Sequence, residues 1–121
     1  MRDFDFEKIT YYINLDGDNT AQTINSSDGL LFMLEIQNKN SAQAWVQLFD
    51  ESGAINVGTT ARKLGFVIEK SDGTEWKSRI IYFGSYGLPF QNSIKYACTT
   101  TIDGSGDPTA GLIINAIYAN L

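Results

Sequence analysis

Between residues 30 and 50 the chain alternates twice, with one short polar segment between the two runs. Leu30, Phe32, Leu34 and Ile36 interleave with Leu31, Met33, Glu35 and Gln37. After Asn38-Lys39-Asn40-Ser41, the residues Ala44, Val46 and Leu48 interleave with Trp45, Gln47 and Phe49. A period of two sends successive side chains to opposite faces of a strand. Each run therefore predicts a strand, and the pair predicts a half-buried β-hairpin.

The rest of the chain follows the same pattern. A first strand is expected over residues 8–15, with Ile9, Tyr11 and Ile13 on one face and Asp16-Gly17-Asp18-Asn19 as its closing turn. A short piece at 20–25 is expected to pair next, and 54–60 reads as a loop crossing an edge. Residues 63–70 alternate through Leu64, Phe66 and Ile68, and Ser71-Asp72-Gly73-Thr74 predicts a hairpin turn into a partner strand over 75–83. A Gly- and Pro-bearing corner at 84–89 leads to a strand at 94–100. The loop at 103–108 precedes a last strand at 111–118, where Leu112 to Ile117 is apolar on both faces except for Asn115. Such a strand is either central or covered by a neighbouring subunit.

About eight strands at this spacing, with no sustained 3.6-residue period, predict an all-β fold. The expectation is a single-domain antiparallel β-sandwich over residues 1–121, jelly-roll-like or Ig-like, with a β-barrel plus a small helix as the alternative. A chain of 121 residues with 43% apolar composition has material for a core without disulfides or a metal. No apolar run approaches the ~20 residues of a membrane-crossing helix, so no membrane partner is expected. The segment Met1-Arg2-Asp3-Phe4-Asp5-Phe6-Glu7 lacks the apolar core of a signal peptide, which makes cytoplasmic synthesis the expectation.

Charge and reactive residues narrow the functions. A net charge of −5 argues against nucleic acid as a partner. Residues 1–60 hold nine acids and three bases, a balance of −6, whereas residues 61–121 hold five and six, a balance of +1. The asymmetry suits a solvated acidic surface or an acidic half that meets a basic patch on a neighbour. The chain has no His, which removes Ser-His and Cys-His nucleophilic systems. The lone Cys98 lies in a strand-like run and reads as a small core hydrophobe. No carboxylate pair stands out as the two acids of a glycosidase. Asp16-Gly17-Asp18-Asn19 and Asp103-Gly104-Ser105-Gly106-Asp107 resemble pieces of calcium loops, but each lacks the closing Glu, and Asp and Gly are also what tight turns require. No catalytic residue, metal or cofactor is expected; a shared Ca²⁺ between those two loops is the form a metal would take.

Aromatic and apolar residues supply the candidate contacts. Trp45 and Phe49 share one face of their strand, opposite Ala44, Val46 and Leu48, and only one face of a two-layer sandwich strand need be core. Trp76, Tyr82 and Tyr86 are candidate stacking aromatics, able to lie on a sugar or to anchor an interface. Ile113, Ile117 and Tyr118 in the last strand are candidates for contact inside an oligomer.

A set of short motifs resembles a known group. Ile36-Gln37-Asn38 and Ser41-Ala42 precede Ala44-Trp45-Val46-Gln47-Leu48-Phe49-Asp50, then Val57-Gly58-Thr59 and Leu64-Gly65-Phe66-Val67-Ile68. Gly87-Leu88-Pro89-Phe90, Ala97-Cys98-Thr99-Thr100 and Ile114-Asn115-Ala116-Ile117-Tyr118 close the series. Over roughly residues 29–119 this resembles small structural proteins of tailed bacteriophages. Their pattern runs N-x-S-A, a Y-V-K-L-Y-D-like strand, V-G-T, an apolar strand, G-x-x-F, A-x-T-T and V-N-x-x-Y. Trp45 and Phe49 stand where that pattern shows Tyr, and the charged segment at 69–77 is longer, which leaves the particular role open. The resemblance implies a β-sandwich virion component made in a bacterial cytoplasm, without catalytic residues. The expected function is a capsid decoration or cement protein, or a part of a head or tail assembly. Its expected partners are copies of itself, as a homo-oligomer and by expectation a trimer, together with the major capsid protein or other virion proteins. The alternatives are a carbohydrate- or receptor-binding module built on Trp45, Trp76 or Tyr86, and a small hydrolase.

Overall fold

The computed structural model describes residues 9–121, and the N-terminal heptapeptide discussed above lies outside them. Within the described residues the chain forms β1 (Ile9–Gly17), β2 (Gln22–Asn25), β3 (Gly29–Asn38), β4 (Ala44–Phe49), β5 (Leu64–Ile68), β6 (Lys77–Tyr82), β7 (Leu88–Phe90), β8 (Ile94–Thr99) and β9 (Leu112–Asn120). The all-β sandwich expected from the pattern is what the chain forms. One sheet has the order β1-β9-β3-β6, with the short β7 also paired to β3; the other has the order β2-β8-β4-β5. The three-residue β7, in what the sequence presents as a corner, brings the strands to nine.

The pairing is nested. β1 pairs with β9, β2 with β8, β3 with β6 and β4 with β5, all antiparallel. Such a series is one long hairpin, and rolling it up adds the pairs β3–β9 and β4–β8. That is jelly-roll order, which settles the choice between the two sandwich types expected from the pattern. Between the sheets lie Leu34, Ile36 and Ile114 from the first and Val46, Leu48 and Tyr96 from the second, all fully buried.

Two expected hairpins are crossovers instead. β3 and β4 lie in different sheets, as do β5 and β6. Alternation states which side of a strand meets the core; it does not state whether the next strand lies beside it or across from it. Both strands satisfy their pattern by facing each other through the sandwich. The short segment at 20–25 does pair, as β2 with β8. In β3 the phase itself changes: Leu31 pairs with Tyr118 and Met33 with Ile117, so two steps on β3 match one on β9. This bulge makes Leu31 buried although Leu34 and Ile36 are also buried, and Leu30 and Phe32 leave the inward set that strict alternation assigns them.

The first crossover is held by a buried amide. Asn38 lends its side-chain N–H groups to the carbonyls of Ala42 at 3.0 Å, Glu69 at 3.1 Å and Ile68 at 3.4 Å. Its carbonyl oxygen accepts from the backbone N–H of Asn40 at 3.0 Å and from the Asn40 amide at 2.8 Å. Asn40 in turn exchanges bonds with Ala110, accepting from its N–H at 2.7 Å and donating to its carbonyl at 2.9 Å. Polar residues that read as turn formers are thus interior clamps joining three connections. The second crossover is closed by Arg79, whose guanidinium donates to the Val67 carbonyl at 2.9 Å and stands 5.6 Å from the Phe66 ring centre.

Asn38→Ala removes the shared partner of several backbone groups at once. The expected loss of unfolding free energy is about 2–3 kcal/mol, read from urea denaturation. A loss below ~0.5 kcal/mol would show that water replaces the clamp.

Candidate functional site

The outer face of the β1-β9-β3-β6 sheet is assembled from alternate residues on four strands. Leu34, Ile36, Ile114 and Ala116 point into the core. Their neighbours Met33, Glu35, Asn115 and Ile117 must therefore point out. Register places Tyr11, Ile117, Met33 and Tyr82 in one row across the sheet. The next row is Ile13, Asn115, Glu35 and Ile80. Ile113, Gln37 and Ser78 continue as a third, more polar row, with Leu15 at the β1 end. Tyr11 is 73% exposed, Ile13 66%, Leu15 65%, Ile80 48% and Tyr82 74%. In the middle, the Asn115 amide donates to the Glu35 carboxylate at 3.0 Å.

The sequence pattern points the other way at β1. Ile9, Tyr11 and Ile13 are the apolar set there, yet Tyr11 and Ile13 face solvent. The opposite set is fixed inside by hydrogen bonds. Tyr12 shares a 2.8 Å hydroxyl bond with Tyr96, and the Asn14 amide donates to the same Tyr96 oxygen at 2.7 Å. Burial, with the Tyr12 hydroxyl bond adding to it, pushes the Tyr96 phenol far above its ordinary range. These polar groups occupy the interior because they satisfy one another, leaving the apolar set outside. Ile80, which no sequence motif singles out, joins the same face through its register with Glu35, and Leu15 is exposed at the end of β1.

The other sheet hides its outer face beneath loops. Gln47 is buried, its amide donating to the Thr99 hydroxyl at 2.9 Å and to the Gly104 carbonyl at 3.1 Å; the Thr99 hydroxyl donates to the Thr101 carbonyl at 2.7 Å. Residues 100–107 therefore lie over β4 and β8, and Arg62 pairs with Asp103 alongside. Asp50 ties the end of β4 to the β7–β8 connection. Its carboxylate accepts from the backbone N–H of Gln91 at 2.9 Å, Asn92 at 2.8 Å and Ser93 at 3.3 Å. Burial raises the Asp50 pKa, but these three bonds and the Lys63 ammonium outweigh it and hold the value below the ordinary carboxylate range.

The candidate contacts separate accordingly. Ile113 and Ile117 lie half-buried on the outer face of the first sheet, and Tyr82 stands on the same face. Tyr118 turns inward and packs on the core. Phe49 is fully buried, so its ring is not presented by the single chain, and Trp45 is half-buried on the second sheet. Trp76 and Tyr86 are 53% and 72% exposed in the connections flanking β6, with the Lys39 ammonium 5.5 Å from the Trp76 ring centre. The two Asp-Gly loops do meet. Asn19 donates through its backbone to Asp107 at 3.3 Å and through its amide to the Ser105 carbonyl at 2.9 Å. Among the described residues, no group of three or more His, Cys, Asp or Glu side chains comes together to hold a metal ion. Cys98 is buried beneath this junction, and desolvation, reinforced by the Asp18 and Asp107 carboxylates, pushes its thiol far above the usual range.

Two outcomes follow from this arrangement. Ile13→Ser and Tyr82→Ser should each change the unfolding free energy of the dilute chain by less than about 0.5 kcal/mol, because neither side chain leaves the core; a loss above ~2 kcal/mol in urea unfolding would make that residue part of the core. For Asp50, the folded pKa lies below the unfolded value of about 4. Its ionised carboxylate therefore contributes stability above that pH, and the contribution is lost as pH falls through the lower folded value. Asp50→Ala should cost about 2 kcal/mol at pH 7 and flatten the acid limb of stability against pH, measured by thermal unfolding from pH 7 to 2. An unchanged acid limb would assign the pH dependence to other carboxylates.

No protein-family model matches the chain, and no curated protein matches it in sequence. Among solved structures, the coat protein of tobacco streak virus is similar with a TM-score of 0.40 and 12% identity, over 98% of this chain and 90% of that one.

Proposed function

We propose that this chain is a non-enzymatic structural protein of a virion, a jelly-roll subunit that works by being assembled. The observation that carries the reading is the apolar face of the β1-β9-β3-β6 sheet, on which Tyr11, Ile13, Leu15, Ile80 and Tyr82 are exposed among the described residues. Monomeric proteins rarely leave a contiguous apolar patch of this kind in water, and such patches mark places where another macromolecule sits. Jelly rolls also host lectin and cupin functions, so the fold alone does not select the role. Chemistry argues in the same direction as the face: the chain has no His, and its lone thiol is buried with a raised pKa. The motifs shared with tailed-bacteriophage structural proteins refine the proposal to a capsid decoration or cement protein. It would stabilise the shell through contacts with its own copies and with the capsid protein.

The experiment is the copy number of this chain in purified virions, by quantitative mass spectrometry against labelled peptides. A number matching the capsomers is the expected result. A few copies per particle would overturn the decoration role in favour of a tail or fibre part, with receptor binding then first to test. Absence from the particle would sink the virion reading.

A further inference from the structure

We propose that two copies of this chain pack face to face through their β1-β9-β3-β6 sheets, about a two-fold axis running along the strands midway between β9 and β3. The inference rests on the reading of this face as an assembly surface and deepens it by naming the occupant. Rotation about that axis exchanges left and right within each row and leaves the rows in place. β1 of one copy then lies over β6 of the other, and β9 lies over β3. Tyr11 meets the second copy's Tyr82, Ile117 meets its Met33, and Ile13 meets its Ile80. The polar pair also maps onto itself, bringing Asn115 over the second copy's Glu35. Both rows are thus self-complementary in order, apolar on apolar and amide on carboxylate, as an isologous interface requires.

Size is consistent with this occupant. With exposed aromatic and aliphatic side chains of this size, the five exposed large residues present on the order of 700 Å², near the ~800 Å² per partner of a standard interface. Sheets stacked in this way, about 10 Å apart and turned by about 30°, are the ordinary geometry of sandwich interiors. The trimer expected from the sequence would instead need this face to meet a different surface of its neighbour. Glu35 is the only charged group in the two matched rows, and pairing brings two copies of it close to the axis. An Asn amide carries two N–H donors. Asn115 gives one to its own Glu35 and has a second available for the other copy's, which offsets part of the repulsion.

The test uses the full chain at about 100 μM, enough to populate an interface of micromolar Kd, by sedimentation equilibrium. A dimer is expected, and Ile13→Asp or Tyr82→Asp should return it to monomer with the circular dichroism of the fold unchanged. Glu35→Gln keeps the hydrogen bonds and removes the like charges, so it should lower the dimer Kd about tenfold or more. The axis is read by cross-linking with a bis-maleimide whose spacer is about 8 Å, shorter than the sheet spacing plus three strand widths. The double variant Tyr11→Cys/Tyr82→Cys should yield covalent dimers, and Tyr11→Cys alone should not, since those two positions lie at opposite edges of the interface. Cys98 is buried and out of reach of the reagent. A monomer, a trimer, a Glu35→Gln variant that associates no better, or dimers from Tyr11→Cys alone would each overturn the pairing. Stoichiometric copies of a monomeric chain in the virion would overturn the pairing alone and leave the proposed function standing.

Discussion

The whole architecture depends on where the last strand goes. β9 enters between β1 and β3, so the chain's first and last strands are neighbours and the sheet is complete only when the C-terminal segment has docked. Nearly every pair in the fold joins residues far apart in sequence, with Ile9 opposite Ala119 as the outermost. Such pairing requires loop closure before any hydrogen-bond gain, and nesting resolves the difficulty by letting each pair bring the next one close. The position of β9 also explains its composition. Ile114 and Ala116 fill the sandwich, while Ile113 and Ile117 supply the middle of the outer face.

The two sheets treat their outer faces in opposite ways. Over β2-β8-β4-β5 the loops lie down, and they can do so because Gln47, Thr99 and Asp50 accept or donate the bonds that backbone carbonyls and amides would otherwise lose to water. A loop over an apolar face would have no such partners, since a buried backbone group without one costs on the order of 1–3 kcal/mol. In its two central rows the β1-β9-β3-β6 face offers only the Glu35–Asn115 pair, and Tyr11, Ile13, Ile80 and Tyr82 there stay exposed. A flat apolar sheet face is instead covered most readily by another sheet, whose own backbone is already paired. The different treatment of the two outer faces thus follows from where polar side chains stand on the strands.

In the proposed assembly, this division would supply the physical basis of association. The energy comes from apolar area removed from water, at roughly 25 cal/mol per Å² before the cost of association. Specificity in that assembly would come from the Glu35–Asn115 pair, which favours an arrangement that gives Glu35 a donor. Under the proposed function the chain would stabilise a particle by contact geometry, with exposed side chains that contribute to binding without contributing to its own folding.

The amino-acid sequence by itself determined the strands, their number to within one, the sandwich class and the core position of Cys98, because alternation, turn residues and an apolar strand context are local properties. It also singled out Ile113 and Ile117 as candidate contacts and Tyr82 as a candidate stacking aromatic, three residues that the structure places on one sheet face. Tertiary structure alone decided which strands pair, since β3–β4 and β5–β6 obey the same alternation whether they lie side by side or across the core. It alone decided that Phe49 is covered, and it chose the inward face of β9 as the one that carries Ile114, Ala116 and Tyr118. The exposure of Tyr11 and Ile13 was set by a contact 84 residues away, the Tyr12–Tyr96 hydroxyl pair, which draws the more polar side of β1 into the interior. Periodicity reports that a strand has two faces; only partners distant in sequence choose which of them meets the core.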